Sequence, residues 1–265
     1  PIGDINGIRK EISAVKGGRL AAAAYPARML ALLISDVPGD DPGAIASGPT
    51  VGHGGDAALA RRTLHRWGVT PPASIARFLD AGGAPLPPGD PRLSLVENRV
   101  VAAPSQSLAA AAALAREAGL AVESLGDAIE GEAREVAADH ARLARQAEGP
   151  CLLLSGGELT VTRRGDGSGG PNAEYALALA LALDAAPGIH ALACDTDGVD
   201  GAAEVAGAVI GPDTLARARA AGRDPAQALA DNDAHGFFAA LGDQVVPGPT
   251  LTNVNDFRAI LVEGR

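Results

Sequence analysis

Gly165, Gly167, Gly169 and Gly170 stand in the stretch TVTRRGDGSGGPNAEYALALALAL, between a β-branched segment and an apolar run. Glycine-rich chain that leads into a helix leaves backbone N–H groups unpaired at the positive end of the helix dipole. Such a place suits an anion, either a phosphate or a carboxylate. Asn172 would cap that helix or donate to the ligand. A plain turn before a capped helix accounts for the same residues, so the spacing leaves both readings open. Gly165, Gly167 and Gly170 also fit G-x-G-x-x-G, the dinucleotide fingerprint. In that fold the third glycine lies inside the first helical turn, whereas Pro171, directly after Gly170, suits only the first helical position. This argues against a nicotinamide site.

Two further stretches carry chemistry. In CLLLSGGE a buried strand is expected to end in Ser155, Gly156, Gly157 and Glu158, where small residues let backbone approach a ligand beyond the carboxyl end of a strand. A tight turn is the bland alternative. In ACDTDGVDG, Asp195, Asp197 and Asp200 follow another strand, so three carboxylates converge at a sheet edge. They repel one another unless solvated or neutralised, and magnesium with bound phosphates is a natural neutraliser. A calcium loop is excluded, since its fifth and twelfth positions would be Val199 and Ala206.

Other chemistries find no support. His53, His65, His140, His190 and His235 lack metal-ligand spacing, which argues against a zinc site. There is no Walker-type loop and no G-x-S-x-G nucleophile elbow. Cys151 and Cys194 lie in apolar runs, as small buried hydrophobes do, and fit a reducing cytoplasm.

The elements that must hold these residues follow from pattern. RMLALLIS reads as a buried strand closed by Asp36 and feeding a long loop of the functional kind. Helices are expected from Asp56 to Trp67 and from Ser74 to Asp80, then AGGAPLPPGDP forms a linker and sets a domain boundary between residues 88 and 89. Beyond it NRVVAA, AVESL and CLLLS are strands separated by helices Ser105–Ala118 and Gly131–Gln146, an alternation that implies parallel pairing and an α/β layered fold. ELTVTRR reads as a further strand. The alternate leucines after Asn172 are spaced by alanine rather than by polar residues, so residues 172–186 read as a buried helix. Strands IHALACD, AGAVI and FRAILVE follow, with helices across 212–242 and GPTLTNVND as a loop.

The 265 residues are 47% hydrophobic and 20% charged, enough for one large or two ordinary cores. A net charge of −10 repels polyanions, so nucleic acid is not an expected partner. No apolar run reaches the length of a transmembrane helix, and no membrane partner is expected. The opening PIGDINGIRK lacks both an initiator Met and an obvious cap, so the chain reads as one entered partway through a domain.

Taken in order, SAVKGGRLA, LLISDVPGDDPGAIASGPT, LLLSGGELTVT, GSGGPNAEYALALALAL, DTDGVDGAAEVAGAVI, ALADNDAHGFFAALGD and GPTLTNVNDFRAILV resemble the class II glycerate 2-kinases, the family with the MOFRL C-terminal domain. The resemblance implies two α/β domains with mostly parallel sheets and an active-site cleft. Residues 1–88 would be the remnant of the N-terminal domain, part of it missing, and 89–265 the C-terminal region with MOFRL over about 150–265. It also implies transfer of the γ-phosphoryl of ATP to the 2-hydroxyl of glycerate, with Mg2+. Lys16 and Arg19 would meet the glycerate carboxylate or a phosphate, and Asp36 would act as base. Ser47, Gly48, Asn253 and Asn255 would line the substrate. Ser155, Gly156, Gly157 and Glu158, with Gly169, Gly170 and Asn172, would cradle the ATP phosphates, and Asp195 and Asp197 would hold magnesium. The family carries a longer N-terminal segment with a further lysine, and some relatives have Arg where Pro171 stands. A cytoplasmic homodimer is the expected state. Two other readings remain: an NAD(P)H-dependent hydroxypyruvate reductase, a label often attached to this family, and a non-catalytic module that binds a small acid.

Overall fold

The structure, a computed structural model, describes residues 2–84 and 86–264, with only the backbone at Ile2 and Pro38; Pro85 of the linker lies outside the described residues. The chain divides into two compact units, residues 1–102 and 103–265.

In the first unit, helices α1 (Ile2–Ile12), α2 (Arg19–Ala24), α3 (Ala57–Arg66) and α4 (Ala73–Asp80) accompany strands β1 (Met29–Ile34) and β2 (Val96–Ala102). Helix α1 was not expected, because IGDINGIRKEI opens without a side-chain cap and includes two glycines. Asp56 caps α3 as expected, its carboxylate accepting the Leu59 N–H at 2.7 Å. A small apolar core of Ala57, Ala60, Leu64 and Leu79 holds α3 and α4 together. Strand β2 runs parallel to β1, with Met29 opposite Val96. That pairing explains why the units divide after Ala102 rather than at the proline-rich linker: the strand beyond the linker returns to the first unit.

In the second unit α5 (Pro104–Glu117), β3 (Ala121–Glu132), α6 (Ala133–Gln146), β4 (Cys151–Thr160), α7 (Pro171–Leu183), β5 (Ile189–Asp195) and β6 (Gly207–Ile210) precede a helical run. That run is α8 (Thr214–Ala220), α9 (Pro225–Ala230) and α10 (Ala234–Leu241), followed by β7 (Gln244–Val245) and β8 (Asp256–Val262). The sheet order is β3-β4-β8-β5-β6-β7. The α/β class is as expected, but the parallel pattern is limited to β1 with β2 and β3 with β4. The pairs β4 with β8, β8 with β5, β5 with β6, and β6 with β7 are antiparallel. Strand β8 arrives after the helical run and inserts between β4 and β5, a long-range choice that no local pattern records.

Alternation along the strands sorts the layers. Leu153, Ala191, Ala193, Ala208, Ile210, Ile260 and Val262 face a large core with α7, Phe237 and Phe238. Leu154, with partly buried Leu152, Phe257 and Ala259, meets Leu108 and Ala112 of α5 on the opposite face. Helix α7 is buried almost all round, which is why its sequence shows no amphipathic stripe.

Candidate active site

In the first unit the chain bends at Lys16–Gly18 and pairs with the bend Ala46–Gly48: Gly17 donates to Ser47 O at 3.1 Å and Gly18 to Gly48 O at 2.8 Å. The Lys16 ammonium donates to Ala46 O at 2.6 Å. Ala46, Ser47 and Gly48 all take positive φ, 50°, 61° and 62°. Two consecutive non-glycine residues in that region store strain, and such bends concentrate at functional sites. Ser47 is buried and its hydroxyl donates to Asn6 Oδ1 at 3.0 Å. The structure thus brings Lys16, Ser47 and Gly48 together. Asp36 lies on exposed chain two residues past the end of β1.

Arg19 turns elsewhere. Its guanidinium donates to the carbonyls of Lys10, Lys16, Glu11 and Ala84, so it ties off the last carbonyls of α1. Those bonds commit the group to backbone, which runs against the expectation that it meets a carboxylate or phosphate.

In the second unit the expected turn at Ser155–Glu158 is the middle of β4. Ser155 and Gly157 pair with both neighbours, opposite Arg258 and Asp256 on β8 and Gly126 and Ile129 on β3. Gly157 sits at φ 116°, where a Cβ would press into the Ile129 backbone. Its smallness therefore serves strand packing beside the bulge in β3. Ser155 is buried, its hydroxyl accepting from Arg258 Nε at 3.3 Å. These four residues form no phosphate-binding bend, and Glu158 pairs opposite Glu130.

The glycine-rich loop does lead into a helix, and the anion at that helix N-terminus is part of the chain. Asp200 accepts the Asn172 and Ala173 amides at 2.9 Å each. A Cβ on Gly170 would collide with that carboxylate, while Gly165 and Gly167 lie against Asp231, and Gly169 against Asn232 O. The glycines are explained by this close approach of two loops. Asp200 has therefore left the acidic cluster expected from its sequence. Burial pushes its carboxyl up, against the pull of the two amides and of His235.

Asn172 belongs to a buried relay. Its Nδ2 donates to Asp256 Oδ1 at 2.6 Å, and Asp256 Oδ2 accepts from Arg258 Nη1 at 2.8 Å. Arg258 Nη2 in turn donates to Gly156 O at 2.7 Å. Arg258, only 1% exposed, pins the middle of β4 to the start of β8.

Asp195 and Asp197 remain together at the carboxyl end of β5. The Asp197 N–H donates to Asp195 Oδ1 at 3.0 Å, and Asn253 Nδ2 to Asp197 Oδ2 at 3.3 Å. Asn255, at φ 62°, donates its N–H to Asn253 Oδ1 at 2.9 Å. Asp195 is half-buried, and burial pushes its carboxyl up to about 7, with the neighbouring Asp197 charge adding to the rise. The structure thus gathers Asp195, Asp197, Asn253 and Asn255 at one edge of the sheet.

Residues 151–256 match the MOFRL family, and residues 1–80 match a domain of unknown function, DUF4147. A protein of Agrobacterium vitis described as a putative hydroxypyruvate reductase is 48% identical over 270 residues, covering 98% of this chain and 69% of its own length. The D-glycerate 2-kinase of Thermotoga maritima is 35% identical over 262 residues, covering 96% of this chain and 61% of its own. The crystal structure of glycerate kinase from Thermotoga maritima superposes with a TM-score of 0.90 at 33% identity, over 99% of this chain and 64% of that one. The chain thus spans roughly two thirds of the length of these relatives. Fold and matches together define an α/β protein with a MOFRL region at its carboxyl side. The chain belongs to the class II glycerate kinase family.

Proposed function

We propose that this chain carries catalytic parts of an ATP-dependent glycerate 2-kinase, which phosphorylates the 2-hydroxyl of glycerate to give 2-phosphoglycerate. Family membership supports the reaction class. The observation that carries the reading to particular residues is the acid pair Asp195 and Asp197 at the end of β5. Burial, and to a lesser degree the neighbouring Asp197 charge, raises the Asp195 carboxyl, and a divalent cation bound between the two would favour the ionised pair.

Among the described residues no group of three or more His, Cys, Asp or Glu gathers to hold a metal ion. Two carboxylates with phosphate oxygens and water as the remaining ligands is a donor set that suits Mg2+. Asp195 and Asp197 would hold it, and when bound it would neutralise charge on the phosphates. The Asp200 carboxylate already satisfies the first amides of α7, so the nucleotide would lie along Gly169 and Gly170 ahead of that helix.

In the transfer a bond forms between the 2-hydroxyl oxygen and the γ-phosphorus as the bond to the β-phosphate oxygen breaks. ADP leaves with the electron pair, and the hydroxyl proton passes to a carboxylate, for which Asp36 is the candidate. Lys16 would meet the glycerate carboxylate or a phosphate, with Ser47 and Gly48 beside it; Asn253 and Asn255 would hydrogen-bond substrate oxygens. Arg19 enters as a residue that positions the Lys16 bend. Free cysteines at Cys151 and Cys194 support a reducing, cytoplasmic setting, and no described helix is long and apolar enough to cross a membrane.

The description of the Agrobacterium vitis relative as a hydroxypyruvate reductase favours a second reading, reduction of hydroxypyruvate. Against it, a dinucleotide pyrophosphate would need the helix N-terminus that Asp200 occupies. One pair of assays separates them. ADP release that requires ATP, magnesium and glycerate together is the expected result. NADH oxidation with hydroxypyruvate, in the absence of any such ADP release, would overturn the kinase.

A further inference from the structure

We infer that Asn232 positions the glycine-rich loop, acting as a clamp between that loop and the first turn of α7, and thereby sets the affinity for a nucleoside triphosphate. The second half of this rests on the reading of the loop as nucleotide-facing. Asn232 lies between α9 and α10 at φ 54°, only 5% exposed. Its Oδ1 accepts the Arg164 and Gly165 amides at 2.7 and 3.0 Å. Its Nδ2 donates to Glu174 Oε2 at 2.8 Å. Glu174, on α7 and 1% exposed, spends Oε1 on Arg134 Nε at 2.6 Å, and Arg134 Nη2 returns to Leu229 O at 2.7 Å, on α9 just before Asn232. Neighbouring contacts follow the same seam: Gly167 N to Asp231 O at 2.9 Å, and His235 N to Ser168 O at 2.9 Å.

The donor and acceptor senses are fixed. Turning the Asn232 amide over would set its NH2 against two backbone donors and its oxygen against a carboxylate. At neutral pH no other side chain of this size carries an acceptor atom and a separate donor atom, so Asn232 is specified by chemistry rather than volume. Four of the ten residues in the loop it holds, 161–170, are glycine, which has no side chain to order the backbone. Its shape therefore depends on the clamp.

Reversing the relay tests this. Asn232→Asp sets a carboxylate against Glu174; Glu174→Gln sets an amide donor against the Asn232 amide. In the double variant N232D/E174Q the glutamine Nε2 donates to the new aspartate, whose other oxygen still accepts the loop amides, while glutamine Oε1 still accepts from Arg134. Buried charge is conserved, one acid against one arginine. Two readouts are taken on the chain: hydrogen exchange at the Arg164 and Gly165 amides, and calorimetric affinity for MgATP beside that for glycerate. Each single change should expose both amides and weaken MgATP about tenfold or more, with glycerate affinity unchanged and the β5 and β8 amides still protected. The double variant should restore both readouts to within about threefold of the parent. Should N232D fail to fold, E174Q and the double variant make the same comparison. Amide protection unmoved by the single changes, or a double variant no better than the worse single, overturns the clamp. Protection lost and regained while MgATP affinity never responds overturns the nucleotide role of the loop and leaves the clamp standing.

Discussion

Asp200 stands at the N-terminus of α7 as that helix's own anion, one oxygen accepting the Asn172 N–H and the other the Ala173 N–H, each at 2.9 Å. The dipole and unpaired amides that attract a phosphate in other folds are satisfied here by a residue 28 positions later in the chain. Asp200→Ala would leave two buried amides without this partner, a loss of about 2–4 kcal/mol, while the His235 ring keeps the backbone carbonyl of residue 200. Asp200→Asn keeps one acceptor oxygen and should lose about half as much. Urea unfolding of both variants checks the order; equal stability of Ala and parent would remove Asp200 from this role.

Asp195 makes stability depend on pH in a definite sense. Its carboxyl moves from 3.8 to about 7 on folding, chiefly through burial. The folded state therefore binds the proton more tightly, and the stability this brings is present below 3.8 and lost as pH rises through 7. Asp195→Asn cannot ionise, and its Oδ1 can still accept the Asp197 amide. Melting temperatures of variant and parent should lie close at pH 4 and separate by pH 8, with the variant higher. A gap that stays constant across this range would show that Asp195 is not the titrating group.

Glycines of different origin should respond in opposite directions. A Cβ at Gly157 would enter the backbone of Ile129 at a φ of 116°, and β4 is held on both sides. Gly157→Ala should cost about 3 kcal/mol or more. Gly7, inside α1, has open space where a Cβ would go, so Gly7→Ala should raise stability by about 0.5–1 kcal/mol. Denaturation midpoints decide; a harmless Gly157→Ala would show that β4 and β3 do not approach as closely as drawn.

What could be read from residue order was local. Helix α7 was legible from alanine and leucine despite its misleading period of two, and Asp56 from its place before an apolar-periodic run. SGGE was misread because glycine pairs signal turns, and only the neighbouring strands reveal that they make room for backbone. The insertion of β8 and the return of β2 to β1 depend on partners far along the chain. In the candidate site, Asp195 with Asp197 was visible because two acids follow a strand. Asn232, Arg258 and Asp256 were not: their work is done on backbone amides and buried carboxylates contributed by distant segments. The one sequence signal for Asn232 was its place in DND, a turn-rich triplet between two helices.

Lys16 and Arg19 form the sharpest test of the first unit, because they are three residues apart, carry the same charge and are held in different ways. Lys16 spends a single donor, on Ala46 O at 2.6 Å, and its ammonium keeps two more. Arg19 divides its donors among four backbone carbonyls from both ends of the unit's sequence. Lys16→Met should therefore lower kcat of the proposed transfer by about a hundredfold or more while leaving the melting temperature within a degree or so. Arg19→Met should do the reverse: it unties the last carbonyls of α1 and lowers the melting temperature by several degrees, with kcat falling only as folded protein is lost. Paired kcat and melting measurements on the two variants read the split directly. A Lys16→Met protein that turns over normally would mean that the strained bend at Ala46–Gly48 holds this lysine for shape alone.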